Sequence, residues 1–492
     1  MMFDRLGQRS LSAGLLIALA ACAVGPNYRA PSSSLDAAYL NASAASSDVT
    51  APGADIARFW RGFNDPVLTQ LVERALGANG DVRIAQARLR ESRALLQGAR
   101  AELLPEVGAS ADVTRSRTPD YLQQPGSSGS QSTATVYDAG FTASWELDFF
   151  GRNRRASESA AAQVDASAAG VAAVGTSISA EVARNYLELR GLQQRQQVAD
   201  DSIANQRETL RLTEARLEFG RSTRLDVARA RSLLGTTEAT LPALQAAIDR
   251  GAYRLATLTA QSPRVVLAQV AAGRADLPAL PVTDLAALPV GTPEDLLRRR
   301  PDLVQAERQL AAATANVGVA TADLFPRISL TGLIGVSGLR LGALGESGSQ
   351  QHSFGAGLIW PLLDFGRVRS RITASEARSE QALAGYEQSV AVALEETEGA
   401  LTQFTRNAEQ YERLQAAAQD AEEAARLAGL RFTAGSVDFL VVLDAQRQAL
   451  ATRDALVQSQ VSQATALVAI YRALGGGWPQ EPAAIASRST RR

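Results

Sequence analysis

Residues 327–338 read Arg-Ile-Ser-Leu-Thr-Gly-Leu-Ile-Gly-Val-Ser-Gly, and residues 353–362 read Ser-Phe-Gly-Ala-Gly-Leu-Ile-Trp-Pro-Leu. In the first stretch Ile328, Leu330, Ile334 and Val336 fall on even positions, with Ser329, Thr331 and Ser337 on odd ones. In the second, Phe354, Ala356, Leu358, Trp360 and Leu362 alternate with Ser353, Gly355 and Gly357. That two-residue period predicts two strands, and the Gly, Ser and Gln between them predict a hairpin over about 327–362. Phe325-Pro326 opens it and Trp360-Pro361 closes it, which puts aromatic side chains at one end of both strands, as in the girdles of transmembrane barrels.

A second hairpin is predicted over about 106–147. Val107, Ala109, Ala111 and Val113 alternate with Gly108, Ser110, Asp112 and Thr114, and Tyr137, Ala139, Phe141, Ala143, Trp145 and Leu147 do the same on the return strand. Four strands cannot close a barrel, since about eight are needed, and an open edge cannot face lipid. Hairpins of this kind in a membrane imply a barrel shared between subunits.

The rest of the chain extends the pattern outward. Asp65-Pro66 predicts a helix start with Leu68, Leu71, Val72, Ala75 and Leu76 on one face. Residues 151–219 hold no proline and are built of Ala, Arg, Glu, Gln and Leu, which predicts a long helix of roughly 100 Å with a coiled-coil seam through Val171, Ile178, Val182 and Tyr186. A return helix over 222–258 follows, with Pro242 set to kink or divide it. Prolines 263, 278, 281, 289 and 293 mark an irregular linker over 262–293. Then the order recurs. Asp302, Ala306, Leu310, Ala315 and Leu324 repeat Asp81, Ala85, Leu89, Ala94 and Leu103 at an offset of 221, and Trp360, Phe365, Arg431, Gly435 and Leu440 repeat Trp145, Phe150, Arg216, Gly220 and Leu225 at 215. The two repeats span 65–261 and 294–474; the second holds a long helix over 366–434 and a return helix over 437–474, before a tail over 475–492.

Composition narrows the function classes. Lysine is absent, which removes P-loop and Schiff-base chemistry. One His (His352) and one Cys (Cys22) cannot build a His/Cys metal cluster or an internal disulfide. A net charge of −1 gives no basic surface for nucleic acid. Arg5 and Arg9 precede an apolar run over 11–21 that is too short to span a bilayer and reads as a signal peptide over 1–21. Leu19-Ala20-Ala21-Cys22 resembles a bacterial lipobox, which implies diacylglycerol and palmitate on Cys22. The absence of aspartate at Ala23 implies sorting to the outer membrane. Residues 22–64 are expected to form an extended tether.

Four motifs together resemble one family: Cys22-Ala-Val-Gly-Pro-Asn-Tyr28; Asp65-Pro66; Leu297-Arg-Arg-Arg-Pro-Asp302 with Asp323-Leu-Phe-Pro326; and Gly435 with Leu440-Val-Val-Leu-Asp-Ala-Gln446. The chain is similar to outer-membrane efflux factors of the TolC and OprM type, in the NodT lipoprotein branch. The resemblance implies an α+β membrane protein that works as a homotrimer, with a twelve-stranded outer-membrane barrel and a long helical barrel in the periplasm. It implies no enzyme and no cofactor beyond the Cys22 lipid. Its partners would be a periplasmic membrane-fusion adaptor, an inner-membrane RND transporter and outer-membrane lipid. The turns at Gly220, Ser222, Gly435 and Ser436 would meet the adaptor. Leu440 and Asp444 would form the periplasmic gate, braced by Arg431 with Asp201 or its neighbour Asp200. Phe432 stands where such proteins often carry tyrosine, and Leu255-Ala-Thr-Leu-Thr-Ala260 departs from a more apolar run that ends in glycine. The same fold also serves type I protein secretion, which neighbouring genes would distinguish.

Overall fold

The computed structural model describes residues 23–32, 35–40, 56–117, 133–272, 276–283, 285, 288 and 290–477. Cys22 and the two ends of the chain lie outside them. The chain folds as two compact units, each described in turn.

The first unit comprises Arg88–Ser167, Ala306–Tyr386 and the N-terminal segment up to Pro31. Its sheet has four antiparallel strands in sequence order: β1 (Glu106–Arg117), β2 (Thr133–Leu147), β3 (Arg327–Gly338) and β4 (Gln350–Ile359). The register puts Val107 opposite Ala143, Phe141 opposite Ile334, Trp145 opposite Leu330, and Ile328 opposite Leu358. Every apolar position of the alternation therefore lies on one face. That face is bare: Phe354 is 76% exposed, Phe141 64% and Leu358 62%. The opposite face carries Glu106, Asp112, Asp138 and Glu146 among Ser, Thr and Gly. An apolar face with no cover in this sheet is what a lipid-facing barrel wall requires.

Two tryptophans fix the helix-proximal end of the sheet. Trp145 Nε1 donates to the Leu103 carbonyl and Trp360 Nε1 to that of Leu324, both at 3.0 Å. These equivalent bonds, at offsets of 215 and 221, show the internal repeat in three dimensions. Beside them the Asp323 carboxylate, 11% exposed, meets Arg327 at 2.5 Å, Arg371 at 3.0 Å and Arg152 at 3.6 Å. Phe150 stacks on Phe325 at 4.6 Å.

The N-terminal segment of the extended tether expected over 22–64 is held against this unit by specific contacts. Val24 N donates to the Phe150 carbonyl at 3.1 Å, buried Arg155 donates to Val24 O, Gly25 O and Asn27 Oδ1, and Tyr28 Oη donates to Glu307. Gly25 (φ +88°) approaches Gly318 so closely that a Cβ would stand 2.4 Å from the Gly318 Cα. Two residues without side chains let an extended strand of chain lie flat on a helix. Composition alone cannot show such an approach.

The second unit comprises Ser32–Ala87, Ala168–Gln305 and Glu387–Arg492. A 3₁₀ turn at Ile56–Phe63 buries Phe59, Trp60 and Phe63, so this end of the expected tether is folded as well. The helices of the chain are α1 (Pro66–Ala78), α2 (Gly80–Ala101), α3 (Arg152–Glu218), α4 (Arg224–Glu238), α5 (Leu241–Leu258), α6 (Pro263–Ala272), α7 (Pro293–Arg299), α8 (Pro301–Ala322), α9 (Arg367–Thr433) and α10 (Phe439–Ala473), of which residues 88–101, 152–167, 306–322 and 367–386 belong to the first unit. Asp65 caps α1, accepting from Val67 N and Leu68 N. Its second oxygen accepts from Tyr186 Oη at 2.6 Å, and the fully buried Arg190 donates to the same hydroxyl at 2.9 Å. Arg300, of the Arg-Arg-Arg-Pro-Asp run, is buried and donates to Asp302 and Glu396. It is a buried, fully paired structural cation.

The return helix over 222–258 is divided at Ala239 and Thr240, because Pro242 at the second position of α5 lacks an amide to bond the turn before it. The linker over 262–293 is less irregular than its prolines suggest. Pro263 starts α6, and Val266 and Val270 on one face are buried. Past α5, Ala260 holds φ +51°, where the N–H bonds of Ala260 to Thr257 O and Gln261 to Ala256 O close the helix. This is the position of the missing glycine, and a left-handed alanine costs about 1 kcal/mol. Ala260→Gly is expected to raise the melting midpoint of the purified protein. A fall would mean that alanine is unstrained there.

Candidate functional site

The helix ends farthest in sequence from the sheet meet at two reversals in the second unit. After α3, Gly220 takes φ +66°, Gly220 N bonds Leu217 O and Arg221 N bonds Arg216 O. After α9, Gly435 takes φ +76°, Gly435 N bonds Phe432 O and Ser436 N bonds Arg431 O. Both are glycine-closed helix ends of the same type, in which a left-handed residue satisfies the last carbonyls. Ser436 Oγ donates a further bond to Arg431 O at 3.0 Å.

The first reversal is locked by a carboxylate. Thr223 Oγ1 accepts from Asp226 N, while Asp226 Oδ2 accepts from Thr223 N, Thr223 Oγ1 and Ser222 Oγ. Burial pushes the Asp226 carboxyl up, but the Thr223 and Ser222 hydrogen bonds outweigh it and hold the pKa below the ordinary carboxylate value. A depressed carboxylate contributes stability above its unfolded pKa of about 4 and loses it as pH falls through the lower folded value. A spin label at Arg221→Cys is therefore expected to stay ordered from pH 8 to 5 and to loosen only below about pH 4. Asp226→Asn should loosen it at neutral pH. Loosening between pH 8 and 6 would contradict this account.

A buried cluster lies behind the reversals: Ala230, Leu233, Ala428, Phe432, Phe439, Val442 and Leu443. Phe432 and Phe439 meet edge to face at 5.6 Å. The Arg216 guanidinium sits over the Phe432 ring at 4.3 Å, and its Nη1 donates to the Phe432 carbonyl. The ring needs no hydroxyl for this contact, since a cation over an aromatic face is attracted by the ring itself. With Val442 and Leu443 turned inward, the other side of α10 carries Leu440, 46% exposed, with exposed Asp444 and Arg447 four and seven residues on. Leu440 and Asp444 share one solvent-facing stripe. Arg447, which the sequence reading did not single out, completes it.

The structure does not bring Arg431 and Asp201 together. Asp201 accepts from Gln197 at 3.0 Å and faces Arg453 at 3.8 Å, and Arg453 also pairs with Glu422 at 2.8 Å. Arg216, fifteen residues along α3 from Asp201, is level with Phe432, which leaves Asp201 and Asp200 roughly 22 Å too far up the helix. The cation that spans the two reversals is Arg216, the counterpart of Arg431 at the 215 offset. The repeat itself held the signal.

Above the reversals a polar cleft of about 480 Å³ runs between α3, α9 and α10, lined by Asn205, Gln206, Glu422, Arg426 and Arg453 among others. Gln446 Nε2 bridges its floor to Thr209 at 2.9 Å. Among the described residues no group of His, Cys, Asp and Glu is placed to hold a metal ion.

The model of a family described as outer membrane efflux protein matches residues 71–261 and 292–476, one match for each repeat. The chain belongs to this family. Among other outer membrane efflux proteins, the pyoverdine export outer membrane protein OpmQ of Pseudomonas aeruginosa is 34% identical over 88% of this chain and 90% of its own. The toluene efflux pump outer membrane protein TtgF of Pseudomonas putida is 33% identical over 95% of this chain and 96% of its own. The solved outer-membrane channel OprN superposes with a TM-score of 0.85 at 40% identity, covering 93% of this chain and all of that one. As a member of this family the chain is an α+β channel protein of the outer membrane that extends into the periplasm, and its relatives are efflux channels.

Proposed function

We propose that three copies of this chain form one passive conduit of a tripartite efflux pump, carrying drugs or other small toxic compounds from the periplasmic side to the exterior. The observation that carries this reading is the sheet: four strands, one bare apolar face, and two unpaired edges at β1 and β4. Lipid offers no hydrogen bonds to an edge, so the edges must pair with other copies. Three copies give twelve strands, with the α-helices forming a barrel in the periplasm.

The internal repeat supports a register for that closure. β2 pairs with β3 as Phe141 to Ile334 and Ala143 to Gly332. Moving β2 by 215 and β3 by 221 carries these pairs to Ala356 with Val113, and Leu358 with Ala111, of the neighbouring subunit. Leu440, Asp444 and Arg447 then converge on the axis as a closed periplasmic gate, with Arg216 as its brace inside each subunit. The reversals at Gly220, Ser222, Gly435 and Ser436 and the cleft above them receive the membrane-fusion adaptor of an inner-membrane RND transporter. Cys22 carries the lipid anchor. The protein performs no catalysis and takes no other cofactor.

The test is drug accumulation in a strain lacking its own outer-membrane efflux channels, with this chain expressed alongside a matching adaptor and pump. Lower accumulation and raised resistance are expected. Unchanged accumulation with secretion of a co-expressed polypeptide would instead support a protein-export conduit.

A further inference from the structure

The charges on the sheet are sorted by face. Glu106, Asp112, Asp138 and Glu146, all the carboxylates of the four strands, lie on the inner face. Arg327, at the helix end of β3, lies there too and pairs with Asp323. Arg115 and Arg117 share the parity of Val107 and Val113, so they project from the lipid side, where both are exposed. No acidic strand residue accompanies them on that side.

Their depth is readable from the register. The Trp145 girdle is level with the start of β1, where Glu106 pairs with Ser144. Nine to eleven residues farther, at about 3.3 Å per residue and roughly 40° of tilt, Arg115 and Arg117 stand about 23 to 28 Å away. The apolar band of such a barrel is about 25 Å tall, so they fall at its outer rim. Cations on a lipid face are costly at mid-depth and nearly free at the rim. His352, on the outer face at the tip end of β4, would lie opposite Arg117 across the subunit boundary in the proposed closure.

We propose that Arg115 and Arg117, joined by His352 of the partner subunit, bind the phosphate groups of the glycolipid in the outer leaflet. The guanidinium fork matches a phosphate in a two-point contact. Three copies place one such site at each seam between subunits, so bound glycolipid would touch both neighbours. The proposal rests on the barrel reading above and goes beyond it by naming a lipid class and its site.

The test uses the full-length protein, inserted in phosphatidylcholine vesicles that hold equal amounts of diphosphorylated lipid A and its fully dephosphorylated form. After gentle detergent extraction, mass spectrometry reads the ratio of the two glycolipids retained. The parent is expected to favour the phosphorylated form about 25-fold, since each of the two arginines at a charged surface contributes about fivefold. The double variant Arg115→Gln with Arg117→Gln should bring the ratio near one with its oligomer intact, and the Arg115→Lys with Arg117→Lys variant should keep most of the preference. A parent ratio near one, or an unchanged ratio in the glutamine variant, overturns the proposal while the barrel stands. Failure to enter the vesicles at all would overturn both.

Discussion

A valine at Gly335 is expected to eliminate the folded, heat-modifiable oligomer. Gly335 stands opposite Gly140 where β2 and β3 meet, and a Cβ on it would lie 2.5 Å from the Ala139 carbonyl oxygen and 2.9 Å from the Gly140 Cα. A Cβ on Gly140 would reciprocally meet Ile334 O at 2.7 Å and Gly335 Cα at 2.9 Å. These are backbone atoms of the neighbouring strand and cannot rotate away. Relief means moving the strands apart, at a typical overpacking cost of about 1–3 kcal/mol per copy plus the ladder bonds lost, three times over in the proposed trimer. Gly342→Ala, with no atom within 4 Å of the added carbon, is the neutral comparison. Gel mobility with and without heating reads the outcome. Parental oligomer yield for Gly335→Val would mean that the two strands do not approach as described.

The second large effect concerns the resting channel. Leu440 is 46% exposed, and in the proposed gate Leu440→Ser would replace an apolar ring with hydroxyls and so remove the dewetting that seals a narrow pore. Arg216→Ala removes a cation–π contact and a charge-assisted bond to Phe432 O in each subunit, worth about 2–4 kcal/mol together. A shift of that size raises an open population tenfold or more. Both variants are expected to raise resting conductance in planar bilayers and to sensitise cells to large antibiotics such as vancomycin. Arg431→Ala should have the smaller effect, since its side chain does not reach Asp201. Parental conductance for Arg216→Ala, with a leaky Arg431→Ala, would place the brace on the other repeat.

Much of this was legible in the residues because period and offset are properties of sequence. The alternation through Ile328, Leu330, Ile334 and Val336 has only one face to bury, and the 215 and 221 offsets locate the second copy of each element. The places where reading failed depend on distance between segments remote in sequence. The contact of Gly25 with Gly318 is invisible to composition, because small residues in a tether also suit a free chain. The family resemblance pairs Asp201 with Arg431, whereas their separation depends on how far α3 and α9 slide past each other. In the sequence Arg216 stands out only as a repeat partner of Arg431, because its role comes from the Phe432 ring beneath it. Pro263 looked like a breaker, yet proline at a first helical position starts a helix as readily as it ends one.

In the proposed closure β4 of one subunit pairs with β1 of the next. A double variant, Ala111→Cys with Leu358→Cys in a Cys22→Ser background, tests it by disulfide formation in outer membranes. Within one sheet β1 and β4 are three strand spacings apart, about 14 Å, whereas a disulfide needs Cα atoms within about 7 Å. Any bond must therefore join different copies. Oxidation is expected to yield dimers and a covalently closed trimer that reverts to monomer on reduction, with neither single cysteine giving more than dimers. Membrane-inserted protein that remains monomeric after oxidation, or that bonds only within one chain, would contradict the shared barrel.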